Sequence, residues 1–228
     1  MTPLLDRRHI PNALTIARVV LAVALFTLLA LPAVTPTHTD PAPGGFFGAM
    51  SRNWLLVLAA ALFIVAAATD ALDGHLARRW GVISQFGRVM DPFADKLLVL
   101  GGFIMLASPA LVTRDAAGQT CVLTRVEPWM IVVILGRELL ITSLRSVLES
   151  RGIDFSATMS GKLKMILQSV CVPAVLLGVA GWDTTPGKTA GLVLSGLVWA
   201  TVLVSAISGV PYVIRAIRLS AGSAPGRT

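Results

Sequence analysis

Six apolar stretches run along this chain, separated by short polar segments. Residues 13–34, 54–69, 97–111, 129–144, 165–182 and 190–214 are each mostly free of charge. A bilayer core about 30 Å thick needs roughly 20 apolar residues of helix to cross it, so the shorter stretches span only by taking in polar neighbours. The pattern predicts helices over roughly 13–34, 54–79, 85–111, 128–149, 159–181 and 188–214. That is an all-α integral membrane protein with six transmembrane helices. Arg7 and Arg8 precede the first stretch, but it is too long for a signal-peptide core and five more follow, so it is read as retained. Leu4, Leu5 and Ile10, set among charges, predict a short N-terminal interfacial helix.

The Pro- and Gly-rich stretch 35–45 and segments 112–127 and 182–187 are the connectors on one side. No internal repeat or shift of composition divides the chain, which predicts a single membrane-embedded domain over 1–218. Residues 219–228, rich in Ser, Gly, Ala, Pro and Arg, predict a disordered cytoplasmic tail.

Composition agrees with the pattern. Apolar residues make up 55% and charged residues 14%, against about 25% charged in a soluble domain. The net charge of +7 invites a nucleic-acid reading only if it lies on a soluble face. Here 15 of the 19 basic residues fall on the side that holds both termini, and only Arg52, Arg114, Arg125 and Lys188 on the other. The excess of positive charge puts the termini in the cytoplasm, at the cell (inner) membrane, and the charge is accounted for without nucleic acid. Two cysteines, Cys121 and Cys171, are too few and too isolated for a disulfide framework or a thiolate metal site.

Four of the twelve acidic residues lie within 70–95. Asp70 and Asp73 are three apart and share a face of the second helix; Asp91 and Asp95 are four apart and share a face of the third. A short polar turn, 80–85, folds these helices into an antiparallel hairpin, so the four carboxylates can converge in one cleft. Gly74, Ala77 and Gly87 leave room for a ligand or a neighbouring backbone. Acids in a membrane repel one another and need positive charge among them. Oxygen-only ligands suit Mg²⁺ or Mn²⁺, and a pair of such ions is a usual device for displacement at phosphorus. The plainer reading is a structural knot of ion pairs with Arg78, Arg79, Arg88 and Lys96.

The string D-x-x-D-G-x-x-A-R-x8-G-x3-D-x3-D, present here at every fixed position, resembles the signature of the CDP-alcohol phosphatidyltransferase family. The six-helix pattern of nearly the whole chain agrees with that family's fold. The resemblance implies transfer of a phosphatidyl group from CDP-diacylglycerol, a membrane lipid, to a small alcohol. It implies that Asp70, Asp73, Asp91 and Asp95 ligate two metal ions and that Asp95 also deprotonates the acceptor. Gly74 and Arg78 would contact the CDP part of the donor, with Ser84 touching the nucleotide. Pro11-Asn12-Ala-Leu-Thr15-Ile-Ala-Arg18 opens the first helix, where Asn12 reads as an N-cap. It also resembles the family's P-N-x-L-T-x-x-R segment, which makes Asn12 and Thr15 further donor contacts. Arg18 reads as a helix-packing or headgroup residue.

Acceptor identity should be encoded elsewhere. Arg137 and Arg145 lie eight apart on roughly one face of the fourth helix, and Lys162 and Lys164 open the fifth. Arg137 has Glu138 beside it, but Arg145, Lys162 and Lys164 together exceed what Glu138 and Glu149 can neutralise, which suits a phosphorylated acceptor. The same strings, R-E-L, L-R and G-K-L-K, resemble the phosphatidylglycerophosphate synthase branch of the family, which acts on glycerol 3-phosphate. Met165 stands where that branch has Thr. Other acceptors, as in cardiolipin, phosphatidylinositol phosphate or phosphatidylserine synthesis, stay open at this point. So does a cation transporter built on intramembrane acids, although such folds usually show inverted repeats. Family members commonly pair as homodimers, and no seam in the sequence identifies an interface.

Overall fold

A computed structural model describes residues 10–31, 34, 52–80, 85–114, 120–150, 159–182 and 189–222, without the side chains of 10–11, 71–89, 113–114, 120–121, 149–150, 159–160 and 219–222. Six helices dominate: α1 (Ile10–Leu29), α2 (Arg52–Trp80), α3 (Gln85–Leu106), α4 (Pro128–Ser150), α5 (Met159–Gly181) and α6 (Thr189–Gly222). Around the bundle, α1 packs on α2 and α3, α2 on α5, α5 on α6, and α6 on α4, with α3 closing the ring against α4 and α5. Phe63, Phe103, Leu25, Leu55 and Leu176 are fully buried in one continuous core. Apolar side chains that face outward, such as Val20, Val132, Leu192 and Ile207, cover the bundle's exterior, as expected when lipid replaces water as solvent.

The helices match the six expected from sequence, with shifted ends. Proline explains the first shift: α1 stops at Leu29, shortly before Pro32, because the residue before a proline disfavours helical geometry. α3 stops at Leu106 rather than 111, where Ser108 caps a 3-10 turn over Pro109–Leu111. The connector beyond it is no plain loop. Val112–Arg114 (β1) and Thr120–Val122 (β2) pair antiparallel, with Val112 opposite Val122. Thr124 Oγ1 then donates to the Leu106 carbonyl at 2.7 Å, satisfying one of the orphan acceptors of a helix end. At its far end α6 runs on to Gly222, so the residues from Leu219 to Gly222 are helical and not the start of a disordered tail. The expected interfacial helix lies outside the described residues.

Among the described residues four helices are long and apolar enough to cross a membrane, over Asn12–Leu29, Arg52–Asp70, Gly161–Gly181 and Thr189–Arg218. This is a multi-pass membrane protein. α3 and α4 fall short of that apolarity because they carry Arg88, Asp91, Asp95 and Lys96, and Arg137, Glu138, Arg145 and Glu149, respectively. Their polar halves lie at the end of the bundle where α1 begins and α6 ends. At the opposite end Trp54, Trp129 and Trp182 are all exposed, a placement typical of an aromatic belt at a membrane–water boundary.

Candidate active site

One face of α1 holds both acid-bearing helices. Thr15 and Arg18 are three residues apart, so they project from the same side. Thr15 Oγ1 donates to Asp91 Oδ1 on α3 at 2.6 Å. Arg18 Nη1 meets Asp70 Oδ1 on α2 at 2.7 Å. Both α1 side chains are sealed from solvent, at 1% and 0% exposure. The sequence reading gave Thr15 to the nucleotide and Arg18 to packing or headgroups. In the structure the Thr15 hydroxyl supports Asp91, and Arg18 is a counter-ion of Asp70. The missed signal was Arg18 itself: a guanidinium within an apolar span needs an anion, and acids are concentrated in 70–95. Asn12 falls inside the first turn of a helix already formed at Ile10, and so is not its cap.

Asp91 and Asp95 occupy successive turns of α3, with Pro92 between them. Pro92 has no N–H to give the carbonyl one turn back, which loosens the helix beside the acids. Asp95 is half-buried and has no hydrogen bond or ion pair among the described residues, although it is electrostatically coupled to Asp70, Arg18, Lys164 and Glu138. Among the described residues no three acidic side chains stand close enough to hold one ion; the side chains of Asp73 and Arg78, and all of Ser84, lie outside them. The described donors fit a hard divalent cation in chemistry. Asp70, Asp91 and Asp95 offer only oxygen, two of them are oriented by Arg18 and Thr15, and the third is a half-buried carboxylate without a hydrogen-bond or ion-pair partner there.

Replacing Thr15 by Val removes the orienting hydrogen bond at nearly constant volume. Turnover is expected to fall about tenfold through misplacement of Asp91, with the thermal unfolding midpoint moving by only a few degrees. Wild-type turnover in Thr15→Val would show that Asp91 needs no support from α1.

A cleft of about 430 Å³ opens beside Asp95. All four cations expected on the acceptor side, Arg137, Arg145, Lys162 and Lys164, line it, together with Lys96. Glu138 sits among them. Its carboxylate takes the Lys164 ammonium and meets Arg137 Nη1 at 3.4 Å, so Lys164 is not among the cations left over by the local acids. Lys96 donates to Thr142 Oγ1 at 2.6 Å, and that hydroxyl donates to the Glu138 carbonyl at 2.8 Å. Five cations thus share the cleft with two carboxylates, Asp95 and Glu138. A wall with that excess of positive charge attracts anions. Sequence reasoning missed Lys96 and Tyr212 as lining residues; neither carries a periodicity that would have marked it.

A family profile described as CDP-alcohol phosphatidyltransferase matches residues 8–207, which take in α1 to α5 and more than half of α6. The chain belongs to the CDP-alcohol phosphatidyltransferase family. It is 32% identical over 204 residues, 90% of this chain and 93% of the other, to a protein of Bacillus subtilis (strain 168) named "CDP-diacylglycerol--glycerol-3-phosphate 3-phosphatidyltransferase". A Mycobacterium tuberculosis (strain ATCC 25618 / H37Rv) protein named "Probable phosphatidylglycerophosphate synthase" is 34% identical over 211 residues, covering 92% of this chain and 82% of the other. A Rickettsia bellii protein with the same name as the Bacillus one is 29% identical over 204 residues, 90% of this chain and 93% of the other. Membership of this phosphatidyltransferase family removes the transporter alternative.

Proposed function

We propose that this phosphatidyltransferase moves the phosphatidyl group of CDP-diacylglycerol onto glycerol 3-phosphate, giving phosphatidylglycerophosphate and CMP. The observation that carries the reading is that Asp95 lines the same cleft as Arg137, Arg145, Lys162 and Lys164. A phosphate seated on those cations leaves the glycerol end of the acceptor beside the carboxylate. The acceptor hydroxyl then attacks the phosphorus that carries diacylglycerol, its proton passes to Asp95, and the bond from that phosphorus to the CMP oxygen breaks. Relatives named for glycerol 3-phosphate as acceptor support the choice.

Asp70, Asp73, Asp91 and Asp95 are the residues that would hold Mg²⁺ or Mn²⁺, as two ions. Bound there, the ions supply neutralisation of the diphosphate charge. Asn12, Gly74, Arg78 and Ser84 would lie on the cytidine diphosphate side, and Thr15 would serve that side through Asp91. The basic polar end of the bundle would face the cytoplasm, with both termini, at the cell (inner) membrane.

Purified protein supplied with CDP-diacylglycerol and a panel of acceptors tests the reading. CMP release is expected with glycerol 3-phosphate and not with serine, inositol phosphate or phosphatidylglycerol. Release with phosphatidylglycerol but not with glycerol 3-phosphate would overturn it. Within the cleft, Arg145→Ala and Lys162→Ala are each expected to raise the KM for glycerol 3-phosphate, Arg145→Ala by about 10- to 100-fold, since a charge-assisted contact is worth roughly 1.5–3 kcal/mol. Lys162 is exposed and its effect should be smaller. The KM for CDP-diacylglycerol should hold steady in both.

A further inference from the structure

The acceptor cleft has a wall that no motif marks. α6 passes behind Arg137 at Gly209, where an added Cβ would stand 3.2 Å from Arg137 Cγ, 3.7 Å from its Nε and 3.8 Å from Ile141 Cδ1. The first of these is tighter than ordinary van der Waals contact, so any side chain at 209 must push the arginine aside. Three residues on, Tyr212 is 4% exposed and lines the cleft. It packs with Ile141 and Leu148 in a small apolar cluster separate from the main core. That cluster seats the Arg137–Arg145 face of α4 on α6.

Arg137 is held there largely by shape. Its side chain is 9% exposed, and its described ion-pair partner is Glu138, at 3.4 Å, on its own helix. Its Nε is buried and makes no hydrogen bond among the described residues. Among the described residues no hydrogen bond or ion pair from α6 holds the guanidinium; the bare backbone at 209 gives it room on one side and Ile141 bounds the same space. We infer that Gly209 is a positioning residue for the acceptor, and that its missing side chain sets where the Arg137 guanidinium sits in the cleft. The inference rests on the reading of that cleft as the acceptor site. It adds a residue of α6, outside every acidic or basic motif, to the determinants of acceptor binding.

A double-mutant cycle tests it. Gly209→Val in the full-length enzyme is expected to raise the KM for glycerol 3-phosphate about tenfold, since misplacement by about 1 Å can cost up to about 100-fold. The KM for CDP-diacylglycerol should be unchanged. Gly209→Ala, which asks Arg137 to give by only a few tenths of an ångström, should show a smaller rise, and it carries the test if the valine variant fails to fold. In an Arg137→Ala background the change at 209 should have no further effect on the acceptor KM, because the group it displaces is gone. Equal, additive effects in both backgrounds, or a wild-type acceptor KM in Gly209→Val, would overturn the inference while leaving the acceptor site standing. A wild-type acceptor KM in Arg137→Ala alone would overturn the acceptor-site reading, and the inference with it.

Discussion

Asp95→Asn is expected to lower CMP release by about three orders of magnitude while the protein stays inserted and folded. The size follows from the role: a positioned general base contributes roughly 10²–10⁴-fold, and an amide of the same shape cannot take the acceptor's proton. The retained fold follows from the surroundings. Asp95 is half-buried and makes no hydrogen bond or ion pair among the described residues, so no described partner is left stranded by the exchange. Neutralising it ends the desolvation of a half-buried charge and its repulsion with Asp70 and Glu138, which offsets the lost attraction to Arg18 and Lys164. The expected signature is loss of turnover with an unfolding midpoint equal to or above wild type. CMP release in Asp95→Asn within a few-fold of wild type would remove Asp95 from the chemistry.

Asp70→Asn should behave differently, losing turnover and stability together. Asp70 faces Arg18, whose side chain is fully buried, across 2.7 Å. Removing one partner of a buried pair costs about 3–5 kcal/mol when both charges are sealed from water, and surface pairs are worth about 0–1. The Asp70 side chain is 41% exposed, which places the expected cost between those limits, at about 1–3 kcal/mol. Arg18→Met leaves the half-exposed member behind, which water can reach, and so should be the milder change for folding. Unfolding followed in detergent with both single variants reads this order directly. Equal stability of wild type and Asp70→Asn would mean that the pair does not anchor α1 to α2.

The six helices were legible because lipid imposes a simple rule, and the long apolar runs obey it almost without exception. The four acids were legible for the opposite reason: charge inside a span is conspicuous. Spacing along one helix also grouped Arg137 with Arg145, and these line one cleft with Lys162, Lys164 and Asp95. What the sequence hid was pairing between helices. That Thr15 serves Asp91, Arg18 serves Asp70 and Lys164 serves Glu138 depends on which helix faces which. Periodicity fixes the face a residue occupies but not the neighbour it meets. The hairpin beyond α3 escaped because paired strands of three residues leave too short an alternation to detect.

Arg18 bears on how the chain enters the bilayer. α1 is made before the aspartate it meets in the finished protein, so a newborn first span carries a lone positive charge, at a penalty of about 2.5–3.5 kcal/mol if held at mid-depth. Until Asp70 emerges, the guanidinium must stretch toward headgroups and water at the rim. The ninth residue of the first helix thus meets Asp70 only once the second span is in place.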